Sequence, residues 1–415
     1  MGTPDTHRTI DAVWRIESAR LIAGLTRLTR DVGLAEDLAQ EALVAALEQW
    51  PGSGIPENPG AWLMGTAKHR AIDQIRRSRN LEQKYDQIGR ELATHEAPDL
   101  DAAIDDDIGD DLLRLVFLTC HPLLSTEARV ALTLRLFGGL TTKEIARAFL
   151  TSEATVAARI TRAKKTLADA GVPFEVPAGP ERNERLASVL EVIYLVFNEG
   201  YSATSGEEWM RPALAEDALR LGRILAGLMP GEPEVHGLAA LMEIQASRMR
   251  ARTGPDGRPV LLLDQDRRRW DRLLIRRGLA ALARAEQTGP GLGPYGLQAA
   301  IAACHARTAS PEETDWVRIA ALYEALARLT PSPVIELNRA VAVGMAFGPA
   351  AGLALVDQLT SEKALDGYHL LPSVRGDLLA KLGRADEARE EFERAAALTQ
   401  NEREREVLLG RAGAL

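Results

Sequence analysis

The chain has 415 residues, 46% of them hydrophobic and 26% charged, which is enough for two or three domains, each with its own core. No apolar run is long enough to span a bilayer and Met1 to Arg8 lacks a signal-peptide core, so a cytoplasmic protein with no membrane partner is expected. Two cysteines, Cys120 and Cys304, exclude a disulfide framework, and a formal net charge of −9 argues against nucleic-acid binding by bulk charge.

Helical periodicity dominates throughout, with no convincing alternating run, and the expected fold class is all-α. A first helical block spans Ile10 to Trp50. Within it, Leu38, Ala42, Ala45 and Ala46 share one face while Asp37, Glu41 and Glu48 lie on another. A Pro/Gly loop follows from Pro51 to Pro59, and Pro59 suits the first turn of the next helix. That helix carries Trp62, Leu63, Ala67, Ala71, Ile72 and Ile75 as an apolar stripe. Lys68, His69, Arg70, Arg76, Arg77 and Arg79 lie mainly off the stripe, and Trp62 reads as core rather than as a base-stacking platform.

An acidic stretch from Asp99 to Asp111 reads as a solvated linker, followed by a helical unit to Ala170. Inside that unit, Leu140 to Leu167 has the pattern of a helix-turn-helix. Thr141 or Thr142 caps a first helix bearing Ile145, Ala146 and Phe149. Ala146 permits a close crossing, the turn is Leu150 to Glu153, and Ser152 caps the second helix. Thr155, Val156, Arg159, Arg162, Lys164 and Lys165 lie on or beside that second helix, placed for base edges at its start and phosphates further along. The bland alternative is a surface helix with a solvated basic face.

Gly171 to Arg182 is rich in Gly and Pro and marks a domain boundary. The remainder reads as helices joined by Gly/Pro turns. Gly376, Leu379, Gly383, Ala388, Phe392 and Ala395 fall at tetratricopeptide spacing, with Val334 to Leu359 as a looser copy.

Taken together, Glu36 to Ala42, Asn58 to Leu63 and Ala67 to Asp73 resemble region 2 of extracytoplasmic-function sigma factors. Lys143 to Ala146, Ser152 to Val156, Arg159 and Arg162 to Lys164 resemble their region 4. The resemblance implies a sigma region 2 bundle at 8–80, an acidic flexible linker at 81–110, and a region 4 helix-turn-helix at 111–170. A helical extension would occupy 183–415, tetratricopeptide-like near 334–405. Asp37, Gln40 and Glu41 would bind core RNA polymerase, whose beta-prime clamp and beta flap are the expected partners. The loop from Trp50 to Pro59 would hold an unstacked base of the −10 element. Lys68, His69, Arg70, Arg76, Arg77 and Arg79 would contact promoter DNA there, and the second helix of the helix-turn-helix would read the −35 element. Leu150, at a turn position often held by Gly, and Ala157 and Ala158, in place of polar residues, depart from the pattern.

The extension resembles the tail of one group of these sigma factors in Tyr194 to Tyr201, Asp264 to Arg267, Pro331 to Ala340 and Tyr368 to Pro372. It implies control in cis, through an unidentified ligand or protein at the extension. No catalytic residue, cofactor or metal site is expected. Neighbouring Cys120–His121 and Cys304–His305 side chains diverge on a helix and chelate poorly. Asp264 and Asp266 read as turn and ion-pair residues. Two other classes stay open: a DNA-binding regulator acting without polymerase, which would not need Ala35 to Arg79, and a helical-repeat scaffold.

Overall fold

The computed structural model describes residues 3–86, 108–149, 151–202, 210–254, 259–360, 365, 367–399 and 401–415. Among them the chain is mostly helical, and Thr253 and Pro259 form an isolated antiparallel bridge. Two compact units divide after Ile193.

The first unit opens with α1 (Thr3–Thr29), α2 (Val32–Ser53) and α3 (Pro59–Asp86), which pack mutually. The helical block expected to Trp50 consists of two helices. Arg30 adopts a left-handed φ of 57°, and Asp31 accepts from the Gly33 and Leu34 amides to start α2. Ala35, Ala39, Ala42 and Ala46 are buried, and these small residues, three and four apart, let α2 approach its neighbours closely. The loop before α3 is shorter than expected because α2 continues through Pro51 to Ser53, leaving only Gly54 to Asn58 outside helix. Asn58 caps α3 by accepting from the Ala61 amide at 3.1 Å.

Next come α4 (Ile108–Thr119), α5 (Thr126–Leu136), α6 (Thr142–Ala148) and α7 (Glu153–Asp169). The expected flexible linker falls largely at 87–107, outside the described residues. Its last acidic residue is not solvated: Asp111 sits in the first turn of α4, buried, 3.2 Å from Arg27 and 2.8 Å from Arg114. The stretch 171–182 does break the helical run. However, α8 (Gly179–Tyr201) starts inside it, and the first half of α8 packs on α4 and α5. Arg185 donates to the Phe117 carbonyl at 2.9 Å and Ser188 to the Cys120 carbonyl at 2.8 Å. The division between units therefore lies inside a helix rather than at the Gly/Pro break, because Leu186, Val189, Leu190 and Ile193 are buried.

The second unit contains the end of α8 and α9 (Pro212–Leu228), α10 (Pro233–Ala246), α11 (Arg272–Thr288), α12 (Pro294–Ala306) and α13 (Trp316–Leu329). Then follow α14 (Pro333–Phe347), α15 (Pro349–Leu359), α16 (Leu370–Lys381), α17 (Ala385–Leu398) and α18 (Glu402–Gly413). Five of these helices begin on proline, whose missing N–H is no loss in a first turn. From α12 onward each helix packs on its successor. Close crossings fall on glycine: a Cβ at Gly352 would meet the Ala340 carbonyl and Gly344 Cα at 2.8 Å. The α16–α17 pair is built likewise, with Gly376 against the Phe392 ring, Leu379, Ala388, Phe392 and Ala395 buried, and Gly383 turning the chain at φ 77°.

Candidate nucleic-acid and polymerase interfaces

The helix-turn-helix is fixed by its caps. The Thr141 hydroxyl accepts from the Glu144 amide while the Glu144 carboxylate accepts from the Thr141 amide at 2.8 Å, a closed capping box. Ser152 caps α7 by accepting from the Thr155 amide at 3.0 Å. Leu150, the unusual turn residue, lies outside the described residues.

On α7, Val156, Ile160, Ala163 and Leu167 form the buried stripe. This corrects one expectation: Val156 is 1% exposed, a core residue that cannot reach a base edge. Its i, i+4, i+7, i+11 partners set that phase, a periodicity already present in the sequence. Thr155 is half-buried with its hydroxyl 2.7 Å from that of Ser152. Arg162 and Lys165 are exposed and Arg159 half-buried, so these three basic groups lie off the buried stripe. Ala157 and Ala158 are exposed among them.

Lys164 behaves differently. Its ammonium pairs with Glu36 of α2, and Arg135 of α5 donates to the same carboxylate at 2.6 Å. Glu36 is 4% exposed. Burial alone would raise its carboxyl, but Lys164 and Arg135 outweigh burial and hold it below the ordinary glutamate value. The Gln40 amide donates to Glu36 as well, at 2.6 Å. One residue expected at the polymerase interface and one expected on DNA thus meet at a single buried carboxylate. Arg15 of α1 adds a pair to Glu144 at 2.7 Å. In the sequence Glu36 is one acidic residue within the Glu36 to Ala42 motif. Its role was invisible because its partners stand 99 and 128 residues away.

Around Glu36, Asp37 is exposed, and Glu41 is exposed and pairs with Arg70 at 3.1 Å. On α3, Arg76 and Arg77 are exposed, Lys68 is half-buried, and His69 is exposed with Nδ1 2.7 Å from the Gly65 carbonyl. Arg79 lies on the same helix, but its side chain is outside the described residues. Trp50, expected in the base-holding loop, is instead 2% exposed in α2. Trp62 packs edge-on against it, ring centroids 5.3 Å apart.

Among the described residues, no group of three or more His, Cys, Asp or Glu is placed to hold a metal ion, and no helix is long and apolar enough to cross a membrane. Cys120 and Cys304 are buried and belong to different units. Burial pushes the Cys120 thiol up to about 11. Asp266 caps a 3₁₀ turn at 267–269 and pairs with Arg268 at 3.0 Å.

Residues 16–81 match the family described as sigma-70 region 2, residues 114–167 match sigma-70 region 4, and residues 185–286 match a family of unknown function, DUF6596. An uncharacterized protein of Rhizobium meliloti, R00370, is 48% identical over 92% of this chain and 89% of its own. The ECF RNA polymerase sigma factor SigL of Mycobacterium tuberculosis is 32% identical over 34% of this chain and 76% of its own. SigK of Mycobacterium ulcerans is 28% identical over 36% and 78%. No solved structure matches. With both sigma-70 regions in order, each on the helices just described, and with this coverage of SigL, the chain belongs to the extracytoplasmic-function RNA polymerase sigma factors.

Proposed function

We propose that this protein binds core RNA polymerase and directs it to promoters. The face of α2 bearing Asp37 and Glu41 would meet the beta-prime clamp, and the α5–α7 body would meet the beta flap. Lys68, His69, Arg70, Arg76, Arg77 and Arg79 would serve the −10 element. Arg159, Arg162 and Lys165 would bind near the −35 element, joined by Lys164 once it leaves Glu36. The observation that carries the reading is the doubly capped helix pair α6–α7, whose α7 buries one apolar stripe and turns basic residues away from it.

A phosphate that draws on the Lys164 ammonium competes with Glu36 for it, so the junction would oppose full engagement of DNA by α7. The extension, which we read as tetratricopeptide-like from α14 to α17, then controls activity in cis. Support for that reading is the repeated helix hairpin with glycine at each crossing.

The test is transcription by core polymerase on a pool of genomic fragments, with full-length protein and with a version ending at Ile193. Transcripts that require the protein support the reading, and the difference between the two versions gives the sign of the extension's effect. DNA binding without any core binding would instead favour a regulator acting apart from polymerase.

A further inference from the structure

Where the chain leaves α10 and returns to helix at α11, three segments meet around a recess of about 640 Å³. Arg250 comes from the 3₁₀ turn after α10, Arg268 and Arg269 from the 3₁₀ turn before α11, and Arg272 from the first turn of α11. Trp270 and Asp271 complete the wall. From Arg267 to Arg284 the sequence holds seven arginines and one acidic residue, Asp271, in a protein of net charge −9. The basic excess is local, and an average over the chain hides it.

Asp271 and Asp266 are already engaged. Asp271 caps α11, accepting from the Leu273 and Leu274 amides at 2.8 and 3.1 Å, and Asp266 pairs with Arg268 at 3.0 Å. Arg269 acts on Asp266 only from further off. The side chains of Arg250, Arg272, Arg276, Arg277 and Arg284 make no ion pair or hydrogen bond among the described residues. By contrast, Arg328, Arg394 and Arg403, exposed on other helices of the second unit, each pair with a glutamate three or four residues away.

The geometry of α11 turns these charges outward. The helix buries Ile275, Gly278, Ala281, Leu282 and Ala285. A Cβ at Gly278 would meet Ile244 Cγ1 at 2.5 Å and the Ala240 carbonyl at 3.1 Å, so α11 is pressed onto α10 and its opposite face is fixed. That exposed face carries Arg272, Arg276, Arg277 and Arg284, with Ala280 among them. The arrangement does nothing for the helix itself. Arg272 stands in its first turn and Glu286 in its last, the reverse of what the helix dipole favours.

Each of these cations is arginine, whose planar fork fits phosphate oxygens in pairs. From Arg272 to Arg284 the face runs about 18 Å along the helix axis, a length over which duplex DNA presents on the order of ten phosphates. A lone small anion would fill the recess and leave the later turns of α11 unused. We propose that the recess and the exposed face of α11 bind the phosphate backbone of duplex DNA, a contact that the extension makes without reading base sequence. The proposal rests on the promoter-binding reading only for the choice of DNA as the polyanion.

Fluorescence anisotropy of the full chain with a labelled duplex of random sequence, across a salt series, tests it. The variant Arg272→Gln/Arg276→Gln/Arg277→Gln should bind at least tenfold more weakly at low salt, with a salt slope shallower by about two to three. Arg328→Gln/Arg394→Gln/Arg403→Gln removes the same charge from paired arginines and should leave affinity and slope nearly unchanged. Core-polymerase binding by the same samples reports separately on the sigma-factor reading, and the Arg272 variant should retain it. A readout in the otherwise unaltered chain uses Leu273, 47% exposed beside Arg272: Leu273→Cys carrying an aryl azide should photocrosslink to the duplex. Unchanged affinity and slope in the Arg272 variant, an equal loss in the control, or no crosslink from position 273 would each overturn the proposal. So would saturable binding of pyrophosphate that DNA does not displace, since the recess would then serve a small ligand.

Discussion

Replacing Glu36 by Gln keeps the shape and the Gln40 contact but removes the charge shared by Arg135 and Lys164. Truncating one member of a fully buried ion pair costs about 3–5 kcal/mol. The side chains of Arg135 and Lys164 are each 20% exposed and recover some hydration, so a cost of about 2 kcal/mol is expected. That corresponds to roughly a 30-fold shift in the ratio of opened to closed junction. The loss should appear in urea unfolding of the full chain at neutral pH, and in faster amide exchange across α7.

The pH dependence has a definite sign. The Glu36 carboxyl is depressed in the folded protein, so its stabilisation is fully present above the ordinary glutamate value and disappears as pH falls through the lower folded value. The gap between wild type and Glu36→Gln should therefore persist down to about pH 4.5 and close below it. A double-mutant cycle with Lys164→Met should show coupling of about 1 kcal/mol or more. A Glu36→Gln cost below about 0.5 kcal/mol, the level of an ordinary surface change, would refute the junction as an energetic lock.

Arg162→Ala should weaken promoter binding and lower the salt dependence by about one phosphate contact, read from binding across a salt series. Val156→Ala should cost about 1–3 kcal/mol of stability in a urea melt while leaving DNA affinity per folded molecule unchanged. Asp37→Arg should weaken association with core polymerase about tenfold, measured by direct binding, because it reverses an exposed interface charge. Gly352→Ala should destabilise the second unit by about 1–3 kcal/mol in thermal unfolding, since two helix backbones already touch there; Gly231→Ala, with open space around it, is the neutral control.

Local chemistry decided what could be read without coordinates. The caps at Thr141 and Ser152, the proline that opens α3 and the phase of the small residues on α2 involve neighbours within one or two turns, and the sequence carries those distances directly. The same periodicity places Val156 inside, because it shares a stripe with Ile160, Ala163 and Leu167. Where α2 ends was harder to read, since Pro51 usually stops a helix and the burial of Trp50 beneath it depends on packing.

The remaining features depend on partners distant in the chain. Glu36 becomes a junction only when α5 and α7 bring Arg135 and Lys164 to it. A sequence states which charges exist and in what order. Whether a given charge meets its counter-ion, a phosphate or nothing is set by three-dimensional proximity and by how much water is left around it, and folding alone determines both.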